Sequence, residues 1–121
     1  MDVVAFHPQN KVLVHVETST DSLSWEKRKS HFESKFGRAQ KHYSELFHFE
    51  YDEVEKIAIV GLRSTIPNGV SFGKDVVIKT GPEFMSEITE YLKEKSPLKQ
   101  TVPEHWPLIR LLQISAFYRG K

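Results

Sequence analysis

The chain has 121 residues and no cysteine, and its 17 basic and 16 acidic side chains leave a formal charge of +1. Hydrophobic residues make up 39% and charged residues 27%, as in an ordinary globular domain and unlike a collagen, coiled coil or disordered segment. The lack of cysteine excludes disulfide frameworks, thiolate zinc sites and cysteine nucleophiles. No apolar run approaches the roughly 18 residues of a membrane helix. Residues 1–20 lack a signal-peptide pattern. We therefore expect a cytoplasmic protein that forms a single domain over residues 1–121.

Two short β-rich segments open the sequence. Residues 2–6 and residues 11–18 are separated by turn-forming residues, and the second segment alternates in hydropathy with the period of a strand. The two segments therefore predict an antiparallel hairpin. If Pro8–Lys11 form the turn, the register places Asp2 directly opposite Glu17.

The best helix prediction covers residues 24–46, with Ser22 or Ser24 as the N-cap. Apolar side chains at helical spacing form one arc of this helix: Trp25, Phe32, Phe36, Ala39, Tyr43 and Leu46. Basic side chains form a second arc about 100° away: Lys27, His31, Lys35, Arg38 and His42.

The hydropathy pattern of the second half of the chain predicts two more strands and two more helices. The strands are 54–61 and 74–79, separated by a loop at 65–73, and the helices run from Thr80 to about Lys95 and from Pro107 to about Tyr118. Interleaved strands and helices indicate an α/β (α+β) fold: a mixed β-sheet with an N-terminal antiparallel hairpin, flanked by helices. The apolar final helix belongs to the core or forms the face of a homodimer.

The two opposed carboxylates are the first candidate site. Directly opposed side chains in an antiparallel pair lie about 5 Å apart at Cβ, and like charges at that distance repel. A divalent cation relieves this repulsion, and Mg²⁺ favours one or two carboxylates together with water and phosphate oxygens. Asp2 and Glu17 are therefore candidate ligands of Mg²⁺ or Mn²⁺. A one-residue slip of the register would send Glu17 to the other face.

An Asp at the start of one strand and a carboxylate about 15 positions on, in the next strand, resemble the PD-(D/E)xK nuclease superfamily, which has the restriction-endonuclease-like fold. The matching segments are Asp2-Val3-Val4-Ala5-Phe6 and His15-Val16-Glu17-Thr18-Ser19. The element order, a hairpin, a long helix and then a strand at 56–60, is similar as well. The resemblance covers about residues 2–61, without the helix and strand that precede the Asp in the family core.

The resemblance implies metal-dependent hydrolysis of nucleic-acid phosphodiester bonds. Asp2 and Glu17 would hold Mg²⁺ or Mn²⁺, and a lysine would position the attacking water. The family motif has Lys where this chain has Ser19, so we expect the lysine to come from the helix, as Lys27, Lys29 or Lys35. The basic arc would contact the phosphate backbone of DNA or RNA.

Two other functions stay open on the sequence alone. The first is the same fold without catalysis, as a nucleic-acid-binding or protein-interaction module. Ser19, at the position of the family lysine, favours this alternative. The second is a different α+β domain in which Asp2 and Glu17 never meet. In that case the basic arc is only the solvated side of an amphipathic helix, and His15 and Trp25 are structural.

Overall fold

The computed structural model describes residues 2–46, 48, 50–61 and 65–119. The chain divides into two compact units, Met1–Gly81 and Pro82–Lys121. The first unit contains the sheet and the candidate site, and each unit is described by itself.

A four-stranded mixed sheet forms the centre of the first unit. Its strands are β1 (Val3–His7), β2 (Val12–Ser19), β3 (Glu53–Val60) and β4 (Val76–Thr80), in the order β1-β2-β3-β4. β1 and β2 are antiparallel, whereas β2, β3 and β4 run parallel to one another. This confirms the predicted α/β class and the mixed sheet with its N-terminal antiparallel hairpin.

The hairpin has the predicted register. Val3 pairs with Val16 and Val4 pairs with His15. The four-residue turn closes through Lys11, which has a positive φ of 52°. The next step of the same register brings Asp2 opposite Glu17.

The long predicted helix forms as two helices. α1 (Trp25–Gln40) begins at Ser24, whose side chain accepts a hydrogen bond from the backbone N–H of Lys27. The helix ends at Gln40 because the Lys41 N–H bonds to the carbonyl of Arg38, which tightens the last turn. A short helix, α2 (Tyr43–Leu46), follows, so the prediction of one helix over residues 24–46 was wrong at residues 41 and 42.

The core of the first unit lies between α1, α2 and one face of the sheet. One cluster of buried side chains contains Phe32, Phe36, Ala58, Val60 and Phe72. A second contains Leu13, Ala39 and Tyr43. The helical stripe predicted from the sequence therefore packs on the sheet, except that the Leu46 side chain is half exposed.

The buried face of β2 is the one that carries polar residues. Leu13, His15 and Glu17 are buried beneath the helix, whereas the valines of the opposite face are only partly buried. Across the sheet, that opposite face presents a row of paired apolar residues: Val3, Val16, Ile57 and Val77. The alternating hydropathy of β2 predicts a strand, but it does not predict that the face with His15 and Glu17 is the buried one.

The second unit contains the last two helices, apart from the first residue of α3. These are α3 (Gly81–Lys93) and α4 (Pro107–Arg119). The buried Gln113 side chain ties the connection between them to α4, because its amide donates to the carbonyls of Lys95 and Gln100 and its oxygen accepts from the N–H of Val102. Several apolar side chains of α4 are exposed: Leu108, Ile109, Leu111, Ile114 and Tyr118. Within the described ranges, no helix has the length and apolar character needed to cross a membrane.

Phe72 belongs to a segment that the sequence predicts only as a loop, yet its side chain is 1% exposed and stacks on Phe32 with ring centroids 4.8 Å apart. We predict that Phe72→Ala lowers the free energy of unfolding by about 3–5 kcal/mol, since it removes a buried aromatic side chain. Denaturant unfolding followed by circular dichroism measures the change. Leu46→Ala is the control and should cost less than about 1 kcal/mol; equal losses in the two variants would contradict the assignment of Phe72 to the core.

Candidate functional site

The candidate site lies at the edge of the sheet where the parallel strands end. Glu17 is near the carboxyl end of β2, and Asp2 immediately precedes the antiparallel β1, so both acids reach the same edge. Ligand sites of open α/β sheets lie at this edge because the loops that follow the strands gather there.

Asp2 is held against β2 by Thr18. Its Oδ2 atom accepts hydrogen bonds from the Thr18 backbone N–H at 2.7 Å and from the Thr18 hydroxyl at 2.8 Å. The backbone hydrogen bond is the main reason that the pKa of Asp2 is lowered, and the Lys35 charge and a hydrogen bond with the Glu17 side chain act in the same direction. Asp2 and Glu17 therefore meet, as the register predicts.

Glu17 is a buried acid whose partners include a histidine and a lysine. Its side chain is 1% exposed. Oε1 is 2.8 Å from Nε2 of His15, and Oε2 is 3.5 Å from Nζ of Lys35. A carboxylate removed from water needs such partners, because an isolated buried charge costs several kcal/mol or more.

His15 connects Glu17 to Tyr43. The Tyr43 hydroxyl is 2.5 Å from His15 Nδ1, and the Phe36 ring packs edge-on against the imidazole at 4.7 Å between centroids. Burial lowers the pKa of His15, although Glu17 opposes the shift, and burial raises the pKa of Tyr43 to about 12. The tyrosine therefore keeps its proton and donates to Nδ1. A neutral imidazole then donates its Nε2–H to Glu17.

Lys35 is the helix lysine that reaches the acids. Its side chain, 44% exposed, extends from α1 to Glu17. Lys27 is exposed and lies two turns earlier, about 12 Å along the helix axis at 1.5 Å per residue. Lys29 pairs with Glu33 on the helix surface, with 3.9 Å between Nζ and Oε1. Of the three lysines that the sequence offered, the geometry selects Lys35.

The other predicted nucleic-acid contacts lie on the exposed side of the helices. Lys27, His31 and Arg38 are exposed on α1. His42, in the turn after α1, pairs with Glu45, with 2.8 Å between Nδ1 and Oε2. The structure thus gives the basic arc access to solvent, while its use as a nucleic-acid surface stays a prediction.

Sequence reasoning missed the polar role of two residues near the acids. Tyr43 was assigned to the apolar stripe, and the stripe does place it in the core, but its hydroxyl also bonds to His15. Arg28 was not singled out, yet its side chain is 1% exposed and lies beside Asp21 and the Trp25 ring. Arg28 lies three residues after Trp25 and four before Phe32, so helical spacing puts it on the apolar arc of α1, and a cation on that arc is the available signal.

The two acids have the donor chemistry of a magnesium site. Both offer carboxylate oxygens, and the position beside Glu17 already attracts a cation, since the Lys35 ammonium lies there. Within residues 2–46, 48, 50–61 and 65–119, no group of three or more His, Cys, Asp or Glu residues is arranged to hold a metal ion. A pair of carboxylates is nevertheless a common protein contribution to Mg²⁺ binding.

Comparisons with family models, with curated proteins and with solved structures found no match for this chain. The geometry of the site itself is therefore the basis for a proposed function.

The lowered pKa of His15 predicts a pH dependence of stability. The folded protein binds the His15 proton less readily than the unfolded chain does, so the free energy of unfolding should fall as the pH drops from about 6.5 toward the lower folded pKa. Urea unfolding between about pH 5 and pH 7.5 measures this slope. His15→Gln should flatten it, whereas His105→Gln, at an exposed histidine, should leave it unchanged. Equal slopes in the wild type and His15→Gln would show that His15 does not carry the effect.

The Tyr43 hydroxyl is predicted to stabilise the fold through His15. Tyr43→Phe keeps the ring in the core but leaves a buried nitrogen of His15 without its donor, and should cost about 1–3 kcal/mol in denaturant unfolding. Tyr118→Phe is the matched control at an exposed tyrosine and should stay within about 0.5 kcal/mol of the wild type. If Tyr43→Phe leaves the free energy of unfolding unchanged, the hydroxyl adds nothing to stability.

Proposed function

We propose that this protein is a metal-dependent nuclease that hydrolyses phosphodiester bonds of DNA or RNA, with a site resembling that of the PD-(D/E)xK superfamily. The observation that carries the proposal is the convergence of Asp2, just before β1, with Glu17 of β2 and Lys35 of α1. An acid pair beside a lysine offers ligands for a divalent cation and a group to position a water, which is what metal-assisted phosphodiester hydrolysis uses.

Lys35 is the residue proposed to position the attacking water and to stabilise the negative charge that develops on the phosphate. The reaction consumes one water molecule. Its oxygen bonds to phosphorus, the bond from phosphorus to one nucleoside oxygen breaks, and that oxygen takes up a proton. The products are a phosphate monoester and a hydroxyl.

Asp2 and Glu17 are proposed to hold the divalent cation. When bound, Mg²⁺ or Mn²⁺ would neutralise phosphate charge and lower the pKa of a bound water. The contribution of the chain is orientation: Thr18 fixes Asp2, and His15 fixes Oε1 of Glu17, which leaves Oε2 as the oxygen on the Lys35 side. The restriction-endonuclease-like fold is part of the same proposal.

Binding of the substrate is proposed to use the exposed basic side chains of α1 and the turn that follows it. Contacts of this kind are made to phosphates and do not depend on base sequence. The proposed residues are Lys27, His31, Lys35, Arg38 and His42.

A second candidate function is a nuclease-like module that binds nucleic acid without cutting it. The observation that favours it is the ion pair between Lys35 and Glu17, because a lysine ammonium that neutralises this acid occupies the place of a metal ion. Ser19 at the motif position of the family lysine favours the same alternative.

The nuclease proposal predicts that purified protein cuts labelled DNA or RNA only when Mg²⁺ or Mn²⁺ is added. Glu17→Gln, Asp2→Asn and Lys35→Met should each lower the cleavage rate by about 10²–10³-fold, as expected for the loss of a charged transition-state contact. Lys29→Met is the matched control, since this lysine pairs with Glu33 away from the acids. Thermal unfolding of every variant separates lost chemistry from lost folding.

Each outcome selects one function. Metal-dependent cutting that disappears in Lys35→Met but persists in Lys29→Met supports the nuclease. Salt-sensitive binding without cutting, with and without Mn²⁺, replaces it by the binding module. Cleavage that survives Glu17→Gln in the folded variant would remove the acids from the mechanism.

A further inference from the structure

A small cleft opens next to the acid pair, between the end of β2 and α1. Its lining residues are Ser19, Asp21, Arg28, His31, Phe32 and Lys35. Three of these side chains carry or can acquire positive charge. Lys35 is shared with the acid pair, so the cleft continues the proposed active site on the side of the helix.

Arg28 is a buried cation with unused hydrogen-bonding capacity. Its side chain is 1% exposed, and its guanidinium stacks over the Trp25 ring at 4.9 Å. Nη2 donates to the carbonyl of Asp21 at 2.8 Å. Among the residues that the structure describes, Nε and Nη1 find no hydrogen-bond partner, although Nε lies 3.4 Å from Oδ1 of Asp21. Since a guanidinium stays protonated, these buried donors raise the free energy of the empty site.

Asp21 offsets only part of the positive charge that lines the cleft, because one carboxylate stands beside two cations, Arg28 and Lys35. Its Oδ2 accepts from the Ser19 hydroxyl, and its Oδ1 accepts from the Leu23 N–H at 3.0 Å beside Arg28. Both carboxylate oxygens are therefore engaged within the loop that follows β2. His31 and Lys35, both exposed on α1, line the same cleft and can reach an anion at its mouth. Lys35 also pairs with Glu17.

We propose that this cleft binds a phosphate group of the substrate next to the phosphate that is cleaved. One non-bridging oxygen accepts from Arg28, and the outer oxygens meet His31 and Lys35. This assignment rests on the nuclease proposal for the identity of the substrate, but phosphate binding itself needs neither a metal ion nor cleavage.

The cleft admits one oxygen of a phosphate group, and it lies close to the acid pair. The enclosed space is about 20 Å³, room for one oxygen atom, so the rest of the group stays at the mouth. Ser19 follows Glu17 by two residues on the same face of β2, a separation of about 7 Å at 3.3 Å per residue.

The test is an NMR titration of the whole ¹⁵N-labelled protein with inorganic phosphate, without divalent cations and at constant ionic strength set by chloride. We expect saturable shifts of the Arg28 Nε–H and of the backbone amides of Ser19 and His31. His31→Ala, at an exposed position, should weaken phosphate binding about tenfold, the loss of one charge-assisted hydrogen bond. Arg28→Gln should abolish saturation, and Lys29→Met should leave the affinity unchanged.

The outcomes separate this inference from the nuclease proposal. Saturable binding that weakens in His31→Ala supports the phosphate site even if no cleavage is found. Shifts that do not saturate, or an affinity that His31→Ala leaves unchanged, overturn it even if the protein cuts DNA, and the cleft then holds only water. If Arg28→Gln fails to fold, the His31→Ala and Lys29→Met pair still decides between these outcomes.

Discussion

The burial of Glu17 is the constraint on which the proposed site depends. This carboxylate lies beneath α1 and is 1% exposed. It is stable there because one oxygen faces a histidine and the other faces a lysine ammonium. Any change that removes one partner leaves a charge in a poorly solvated position. The same partners hold the acid in a fixed orientation.

The aromatic core supports this arrangement. Phe36 packs against the imidazole of His15, and Tyr43 is at once part of the core and a hydrogen-bond donor to that ring. The short turn at residues 41 and 42 separates Tyr43 from α1. The same contacts therefore pack the core and orient the His15 ring, which in turn holds Glu17.

The directions of the strands bring the polar side chains of the site together at the carboxyl end of β2. Because β1 runs antiparallel to β2, the first acid arrives at the end of β2 and not at its start. The helix that follows β2 returns over the same face, so its lysine, histidine and arginine side chains lie beside the acids and the cleft. In the proposed function, the carboxylate pair would hold the metal ion and the adjacent cations would contact phosphate groups of the substrate.

The sequence by itself predicted most of the elements and a hairpin register that brings Asp2 to Glu17, because these depend on local periodicity, turn chemistry and pairing between neighbouring strands. It left open a one-residue slip of that register and a fold in which the two acids never meet. It also determined the stripe of α1 that packs on the sheet. Only the tertiary structure decided that the polar face of β2 is the buried one, that Lys35 and not Lys27 reaches Glu17, and that Tyr43 and Arg28 have polar roles. These outcomes depend on how the helix is placed over the sheet, and residues far apart in the chain fix that placement through packing.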